Sequence, residues 1–306
     1  MISHQPFPKS VNLHLTGNCN YRCKYCHSQF KDAIRRPDRD VAIALLRALA
    51  EEPKTQNCKI TFVGGEPTLL PWLGDVIAFA RECGFTTMLV TNGHRLTDDV
   101  YLSEICTDLD WLGLSVDSAE HQTNLSNGRA ERGRTLRPED IIRMTDRARG
   151  LVSLKVNTVV TRHNLREDLR EVINRILPSR WKIMQVMRVA DQNDTEFGSL
   201  AVEEDEFGSY VERNRAGLCP EIEVAEEPAR LMRGSYAMID PQGRFFDSVS
   251  GKQEYSDPIA DVGLLSAWNQ VSFSMEKFQD RGGYYDYDVR IPRILAGSSR
   301  EEQSNG

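Results

Sequence analysis

Cys19-Asn20-Tyr21-Arg22-Cys23-Lys24-Tyr25-Cys26 lies just beyond the apolar run Val11 to Leu15. Its three cysteines form a CxxxCxxC array, a spacing that lets thiolates from one loop converge on a single metal centre. Three cysteines do not complete the Cys₄ set that usually holds a 4Fe-4S cluster, so one iron would keep an open position for a small ligand. A structural zinc site normally takes four ligands, often as two separated pairs, and His27 beside Cys26 would supply a fourth only with awkward geometry. Disulfides fit less well, because the seven cysteines are an odd number and no secretory signal precedes them.

With 306 residues, the chain can form one large α/β barrel or two modest domains. Its 40% hydrophobic and 27% charged residues are those of an ordinary globular protein. No run approaches the ~18 apolar residues of a membrane-spanning helix. Met1 to Ser10 has neither a signal-peptide core nor an amphipathic helix, so a cytoplasmic location and no membrane partner are expected. The net charge of -7 argues against broad nucleic-acid binding but leaves room for a local basic pocket.

Outward from the cysteine loop, strand and helix patterns alternate. Val11 to Leu15 reads as a strand, Asp38 to Glu52 as a helix, and Lys59 to Val63 as a strand running into Gly64-Gly65-Glu66-Pro67. Helix Leu69 to Cys83, strand Thr86 to Val90, helix Asp99 to Cys106 and strand Trp111 to Asp117 follow. Ser118 to Pro138 is a long polar connection, of a length that is usually functional or disordered. Helix Glu139 to Arg149, strand Val152 to Val160, helix Arg166 to Ile176 and strand Trp181 to Met187 complete six repeats. The pattern predicts an α/β fold, a partial (β/α)₆ TIM-like barrel with its site on the loops at the strand C-terminal ends. Residues 1–10 are then a lead-in, 11–187 the barrel, 188–296 a C-terminal extension covering its mouth, and 297–306 a polar tail. Within the extension, Val202 to Arg215 reads as a helix, Tyr236 to Phe246 as a hairpin and Trp268 to Phe278 as a short helix.

With Tyr25 directly before the third cysteine, the array resembles the radical S-adenosylmethionine superfamily. The resemblance implies that Cys19, Cys23 and Cys26 hold one 4Fe-4S cluster. Its open iron would be chelated by S-adenosylmethionine, which is cleaved to a 5′-deoxyadenosyl radical when an external reductant, such as a flavodoxin or ferredoxin, supplies an electron. A lone Gly-Gly-Glu-Pro would be an ordinary turn. Gly64-Gly65-Glu66-Pro67 instead ends the next strand, where the family places the motif that holds the methionine amino group. Asn92 and Ser115, at the following two strand ends, would serve the methionine carboxylate and ribose, although each also suits a turn or strand cap. The implied cofactor set is Tyr25, Gly64, Gly65, Glu66, Asn92 and Ser115.

Further segments resemble the viperin family of nucleotide dehydratases in order: Val11 to His14, Lys155 to Asn164, Arg180-Trp181-Lys182, Gly234-Ser235-Tyr236, Asp261-Val262-Gly263 and Arg281-Gly282-Gly283-Tyr284. This likeness implies a nucleoside triphosphate substrate, CTP first and UTP next, converted to its 3′-deoxy-3′,4′-didehydro form. The 4′ hydrogen would be abstracted and the 3′ hydroxyl lost as water. Asn12, Arg129, Lys155, Asn157, Arg180 and Lys182 correspond to substrate contacts, Tyr236 to a donor in the last step, and Lys155 to an acid-base participant. A triphosphate carries about four negative charges and needs fixed cations. Lys155, Arg180 and Lys182 are expected at the ends of adjacent strands, with Arg129 reaching over them. An antiviral role and a monomer are further expectations. Ser248 stands where animal members carry a cysteine, and neither their N-terminal membrane helix nor their tryptophan-bearing tail is expected here. Two alternatives remain, another single-cluster radical enzyme and a non-enzymatic, metal-stabilised nucleotide-binding protein. Only Cys219 follows Cys106, so ligands for an auxiliary cluster are lacking.

Overall fold

Short runs rich in β-branched and aromatic residues form the strands, and 3.6-period runs between them form the helices. In this computed structural model, β1 (Ser10–His14), β2 (Lys59–Val63), β3 (Thr86–Thr91), β4 (Trp111–Ser115), β5 (Ser153–Val160) and β6 (Arg180–Gln185) pair in chain order, all in parallel. The structure describes residues 5–28 and 37–287. The outer lead-in, the loop exit at Gln29 and Phe30, the last part of the extension and the polar tail lie outside them.

Connections between these strands carry α1 (Arg39–Glu51), α2 (Leu73–Glu82), α3 (Asp99–Ile105), α4 (His121–Ser126), α5 (Pro138–Ala148) and α6 (Arg170–Ile176). Their apolar stripes pack on the sheet; Leu45, Leu46 and Leu49 of α1, for example, are buried. This is the partial barrel that the alternation predicts.

The residues after β6 extend the sheet at both edges. After α7 (Asp194–Leu200) and α8 (Glu204–Arg215), β7 (Glu223–Glu227) adds to β6 in parallel. The chain then crosses through α9 (Ala229–Met232) to the far edge, where β8 (Ala237–Ile239) pairs in parallel with β1. β9 (Arg244–Asp247) and β10 (Glu254–Pro258) follow in antiparallel order, giving the sequence β10-β9-β8-β1-β2-β3-β4-β5-β6-β7. The β8–β9 turn lies at Asp240 to Gly243 as expected, with the Asp240 carboxylate accepting from the backbone of Gln242 and Arg244. α10 (Ile259–Val262), α11 (Leu264–Trp268) and α12 (Met275–Asp280) complete the described chain.

Three local expectations are corrected. The Leu69 to Cys83 helix begins only at Leu73, because Pro71 lacks an N–H and drives Leu70 into an extended conformation. The connection 118–138 contains helix α4 and a small Glu131–Arg134 bridge. The Trp268 to Phe278 helix is instead the end of α11 and the start of α12, with Ser274 capping the second helix through Lys277 N.

An aromatic cluster fastens the lead-in to the extension. Trp268, 1% exposed, lies 4.9 Å from Phe7, 5.1 Å from Phe245 and 5.2 Å from Phe273, centroid to centroid. Trp268→Ala is expected to destabilise the fold by ~3–5 kcal/mol, the usual cost of emptying such a site. Chemical denaturation measures this, and a loss below about 1 kcal/mol would show that the cluster is not the fastening.

Candidate active site

Side chains alternate across a strand, so every second residue of β1 to β7 faces the lumen. One cavity of about 770 Å³ fills it, bounded by the cysteine loop and by residues at the strand starts.

At the loop end, Cys19, Cys23 and Cys26 are free thiols lining this cavity. Backbone bonds hold the loop in place. Arg22 N donates to Gly128 O at 3.1 Å, and Lys24 N donates to Asn127 O at 3.0 Å. Gly128 has φ +75°, and a Cβ there would stand 2.1 Å from Arg22 O, so only glycine allows the approach. Burial pushes Cys19 up to about 11 and Cys26 up to about 12. Without a metal these are protonated thiols, and a metal must displace their protons. Among the described residues, no three His, Cys, Asp or Glu side chains group as a single-ion site. Three soft thiols around one cavity suit an iron–sulfur cluster, whose ligands stand further apart than those of one ion.

The turn after β2 makes the adjoining wall. Gly65 N donates to Thr16 O at 2.6 Å and Glu66 N to Asn18 O at 2.8 Å, so the turn lies against the approach to the cysteine loop. Glu66, 1% exposed, accepts from Thr68 N at 3.1 Å and from the Thr68 and Thr91 hydroxyls at 2.6 Å, all on Oε1. Its Oε2 accepts from Asn92 N at 2.8 Å, which leaves capacity for a ligand ammonium. The Asn92 amide donates to Asn20 Oδ1 at 2.7 Å, beside Cys19. The Tyr25 hydroxyl donates to Asp117, and Arg129 Nη1 reaches that hydroxyl at 3.2 Å and Asp117 at 3.1 Å. Arg129 Nη2 donates to Ser115 O at 2.7 Å. Arg129 therefore stands with Tyr25 and Ser115 at the cysteine end, rather than over the other cations as the sequence suggested. Its guanidinium is committed to a buried carboxylate there. These residues and thiols fit the cofactor and cluster implied by the sequence.

The remaining cations correct a second expectation. Lys155 is the third residue of β5, and Arg180 and Lys182 are the first and third of β6. They line the lumen near the strand starts, not the C-terminal ends, because alternation on a wide, open sheet turns them inward. Register sets Lys155 beside Arg180 and Asn157 beside Lys182. Asn12 lies on β1 opposite Thr61, and both line the same cavity. Among the described residues, Asn157 Oδ1 and Arg180 Nε are buried without a hydrogen-bond partner, as polar atoms awaiting a ligand would be.

Four residues of this end were not among the site residues read from the sequence. Lys59 heads β2, and its ammonium, that of Lys155 and the Arg180 guanidinium lie 4.4, 5.5 and 4.2 Å from the Tyr285 ring centroid. Arg281 reaches Glu227 at 2.9 Å and lies 3.7 Å over the Tyr236 ring. Burial, followed by the neighbouring cations, holds Lys59 and Lys155 well below the usual lysine range. Lys182 is lowered by burial to about 8 despite Glu227 at 3.0 Å. The available signal was a lone lysine opening an otherwise β-forming run, and an arginine before Gly282-Gly283.

Comparison with known proteins agrees with this geometry. The Radical SAM superfamily matches residues 13–176. A Flammeovirga pacifica protein named S-adenosylmethionine-dependent nucleotide dehydratase is 38% identical, over 94% of this chain and 99% of its own length. A Lacinutrix mariniflava protein of the same name is 36% identical over 92% of this chain, which spans 59% of that longer relative. Among solved structures, SuiB of Streptococcus suis bound to S-adenosylmethionine shares the fold with a TM-score of 0.64 at 14% identity, over 86% of this chain and 66% of its own.

Proposed function

Because the chain belongs to the radical SAM superfamily and, within it, to the S-adenosylmethionine-dependent nucleotide dehydratases, we propose that it removes the elements of water from the sugar of a nucleoside triphosphate. CTP is the first substrate assigned and UTP the second, with the 3′-deoxy-3′,4′-didehydro nucleotide as product and antiviral chain termination as the role. One observation carries the reading: the cysteine end and the cation-lined end are parts of a single cavity. In this reading 11–187 carry the cofactor site and 188–296 close over the substrate.

When bound, a 4Fe-4S cluster on Cys19, Cys23 and Cys26 and S-adenosylmethionine supply the hydrogen-abstracting power. Gly64, Gly65, Glu66, Asn92, Ser115, Tyr25 and Arg129 hold the cofactor. Lys155, Arg180 and Lys182, joined by Lys59 and Arg281, take the phosphates. Asn12 and Asn157 contact the sugar or the nearest phosphate. Lys155 moves a proton, and Tyr236 stands beside the sugar and donates in the last step. The nucleotide loses one water. Two electrons and one proton from outside convert S-adenosylmethionine to 5′-deoxyadenosine and methionine, so an external reductant of the flavodoxin or ferredoxin type is required. The working protein is assigned as a cytoplasmic monomer that uses neither membrane nor nucleic acid. Among the described residues, no helix is long and apolar enough to cross a membrane.

Anaerobic turnover of the reconstituted protein with each of four nucleoside triphosphates tests this. At least one should raise 5′-deoxyadenosine well above background and yield a nucleotide lighter by one water. If none does, the substrate class is wrong.

A further inference from the structure

Glu227, the last residue of β7, is a carboxylate in a cavity otherwise suited to a polyanion. It is 1% exposed. Burial pushes its pKa up, but Lys182 and Arg281 outweigh that and bring it down to about 2, so it is an anion at any working pH. A fixed negative charge beside a triphosphate repels it. Its reason for being there must lie elsewhere.

The sheet order supplies that reason. β7 ends one edge of the open barrel and Tyr236 leads into β8 near the other, with no backbone pairing between β7 and β8 among the described strands. Side chains bridge the gap. Tyr236 is a neutral phenol, because burial raises its pKa well above the usual range, and its one O–H is donated to Glu227 Oε2. The phenolic oxygen accepts from Lys182 Nζ at 2.7 Å. Glu227 Oε1 accepts from Arg281 Nη1 at 2.9 Å. Arg281 Nε donates to Ser235 Oγ at 2.8 Å and Nη2 to Ser235 O at 2.7 Å. A phenol held only by its ring can swing its O–H between two in-plane directions, whereas this one has its donor and acceptor sides both assigned.

We propose that Glu227 is a positioning residue for Tyr236: it holds the phenol in place through the O–H and takes that proton as the tyrosine gives its electron to the sugar radical, the external reductant later restoring the tyrosine, all at the expense of nucleotide affinity. This rests on the reading of the cavity as a nucleoside triphosphate site with Tyr236 beside the sugar. It separates two quantities that a merely structural residue would change together: how tightly the nucleotide binds, and how much product forms per 5′-deoxyadenosine released.

The test compares Glu227→Gln, Tyr236→Phe and the double variant with the wild type. CTP binding is measured by calorimetry on reconstituted, unreduced enzyme, and turnover is measured after reduction. Glu227→Gln should bind CTP about ten-fold more tightly, the effect of removing one repelling charge a few ångström away. It should also give at least ten-fold less nucleotide product per 5′-deoxyadenosine. Tyr236→Phe should lower that ratio without tightening binding, and the double variant should have a ratio no lower than Tyr236→Phe alone. A wild-type ratio in Glu227→Gln, an unaltered ratio in Tyr236→Phe, or losses that multiply in the double variant would each overturn the proposal. If Glu227→Gln does not fold, Glu227→Asp is measured. It keeps the charge and shortens the reach, so the ratio should fall at unchanged affinity, and a wild-type ratio again overturns the assignment. Wild-type enzyme that neither binds nor converts CTP or another nucleoside triphosphate would instead defeat the underlying functional reading.

Discussion

Gly65→Ala is expected to lower 5′-deoxyadenosine formation at least a hundred-fold while the sheet stays folded. Its backbone is not in the left-handed region, so the argument is purely steric. A Cβ at this position would stand 2.2 Å from Asn18 O, 2.5 Å from Asn18 C and 2.8 Å from Gly17 O. All three are backbone atoms and cannot rotate away, so the turn must withdraw from the segment leading into the cysteine loop. Withdrawal breaks the 2.6 Å and 2.8 Å bonds from Gly65 N and Glu66 N, and it carries the Glu66 carboxylate with it. Overpacking of this kind costs about 1–3 kcal/mol of stability, which a domain survives, while a displacement of about 1 Å at a reacting site is worth about 10²-fold in rate. Gly74→Ala in α2 is the control, because its Cβ would meet nothing within 4 Å and alanine favours a helix by up to about 1 kcal/mol. Iron and sulfide content, circular dichroism and 5′-deoxyadenosine yield are the measurements. Wild-type 5′-deoxyadenosine from Gly65→Ala would show that the turn's contact with the loop is dispensable.

This dependence on close backbone contact also explains what the sequence could and could not disclose. The cysteine array, the Gly-Gly-Glu turn and the order of strands are local patterns, each readable within ten residues or so, and the structure sets the thiols and the turn around one cavity. The cations are different. Lys155 and Arg180 were singled out, yet they were expected at strand C-terminal ends. Their true depth depends on where each strand begins and on a lumen that eight parallel strands, β8 and β1 to β7, create together. Lys59 went unnoticed because Lys-Ile-Thr-Phe-Val reads simply as a strand, and its inward direction follows only from its pairing with Ser10. Glu-Val-Ala-Glu-Glu gave no reason to expect β7, because its alternation is weak and its polar residues suggest an exposed surface. Glu227 gains its meaning from Arg281, 54 positions later, and Arg129 from Tyr25, 104 positions earlier. Periodicity carries no information about partners at such separations.

Lys155→Met is expected to weaken CTP binding by about a hundred-fold or more, the range seen when a buried charge is left without its partner. The lysine is 8% exposed, and burial together with Lys182, Lys59 and Arg180 holds its pKa well below the usual lysine range. Lys59 is in the same condition, for the same reasons in nearly the same order. In the proposed complex a triphosphate would place about four negative charges among these groups and raise the lysines' pKa values again. The sign follows directly. A group whose pKa is low in the free protein and higher in the complex takes up a proton on binding, so affinity falls as pH rises between the two values. Lys182, at about 8 in the free protein, adds to the fall above that pH. Glu227 stays ionised throughout and contributes no slope. Calorimetry of CTP binding in buffers of different ionisation enthalpy counts the protons. The range from about pH 7.5 to 9 keeps clear of the phosphate's own titration near pH ~6. Wild-type protein should take up protons with each nucleotide, and Lys155→Met should take up fewer while binding far more weakly. An affinity that is flat across this range, with no proton uptake, would mean that the lysines are already charged in the free cavity. Their burial among other cations would then not govern how the nucleotide is held.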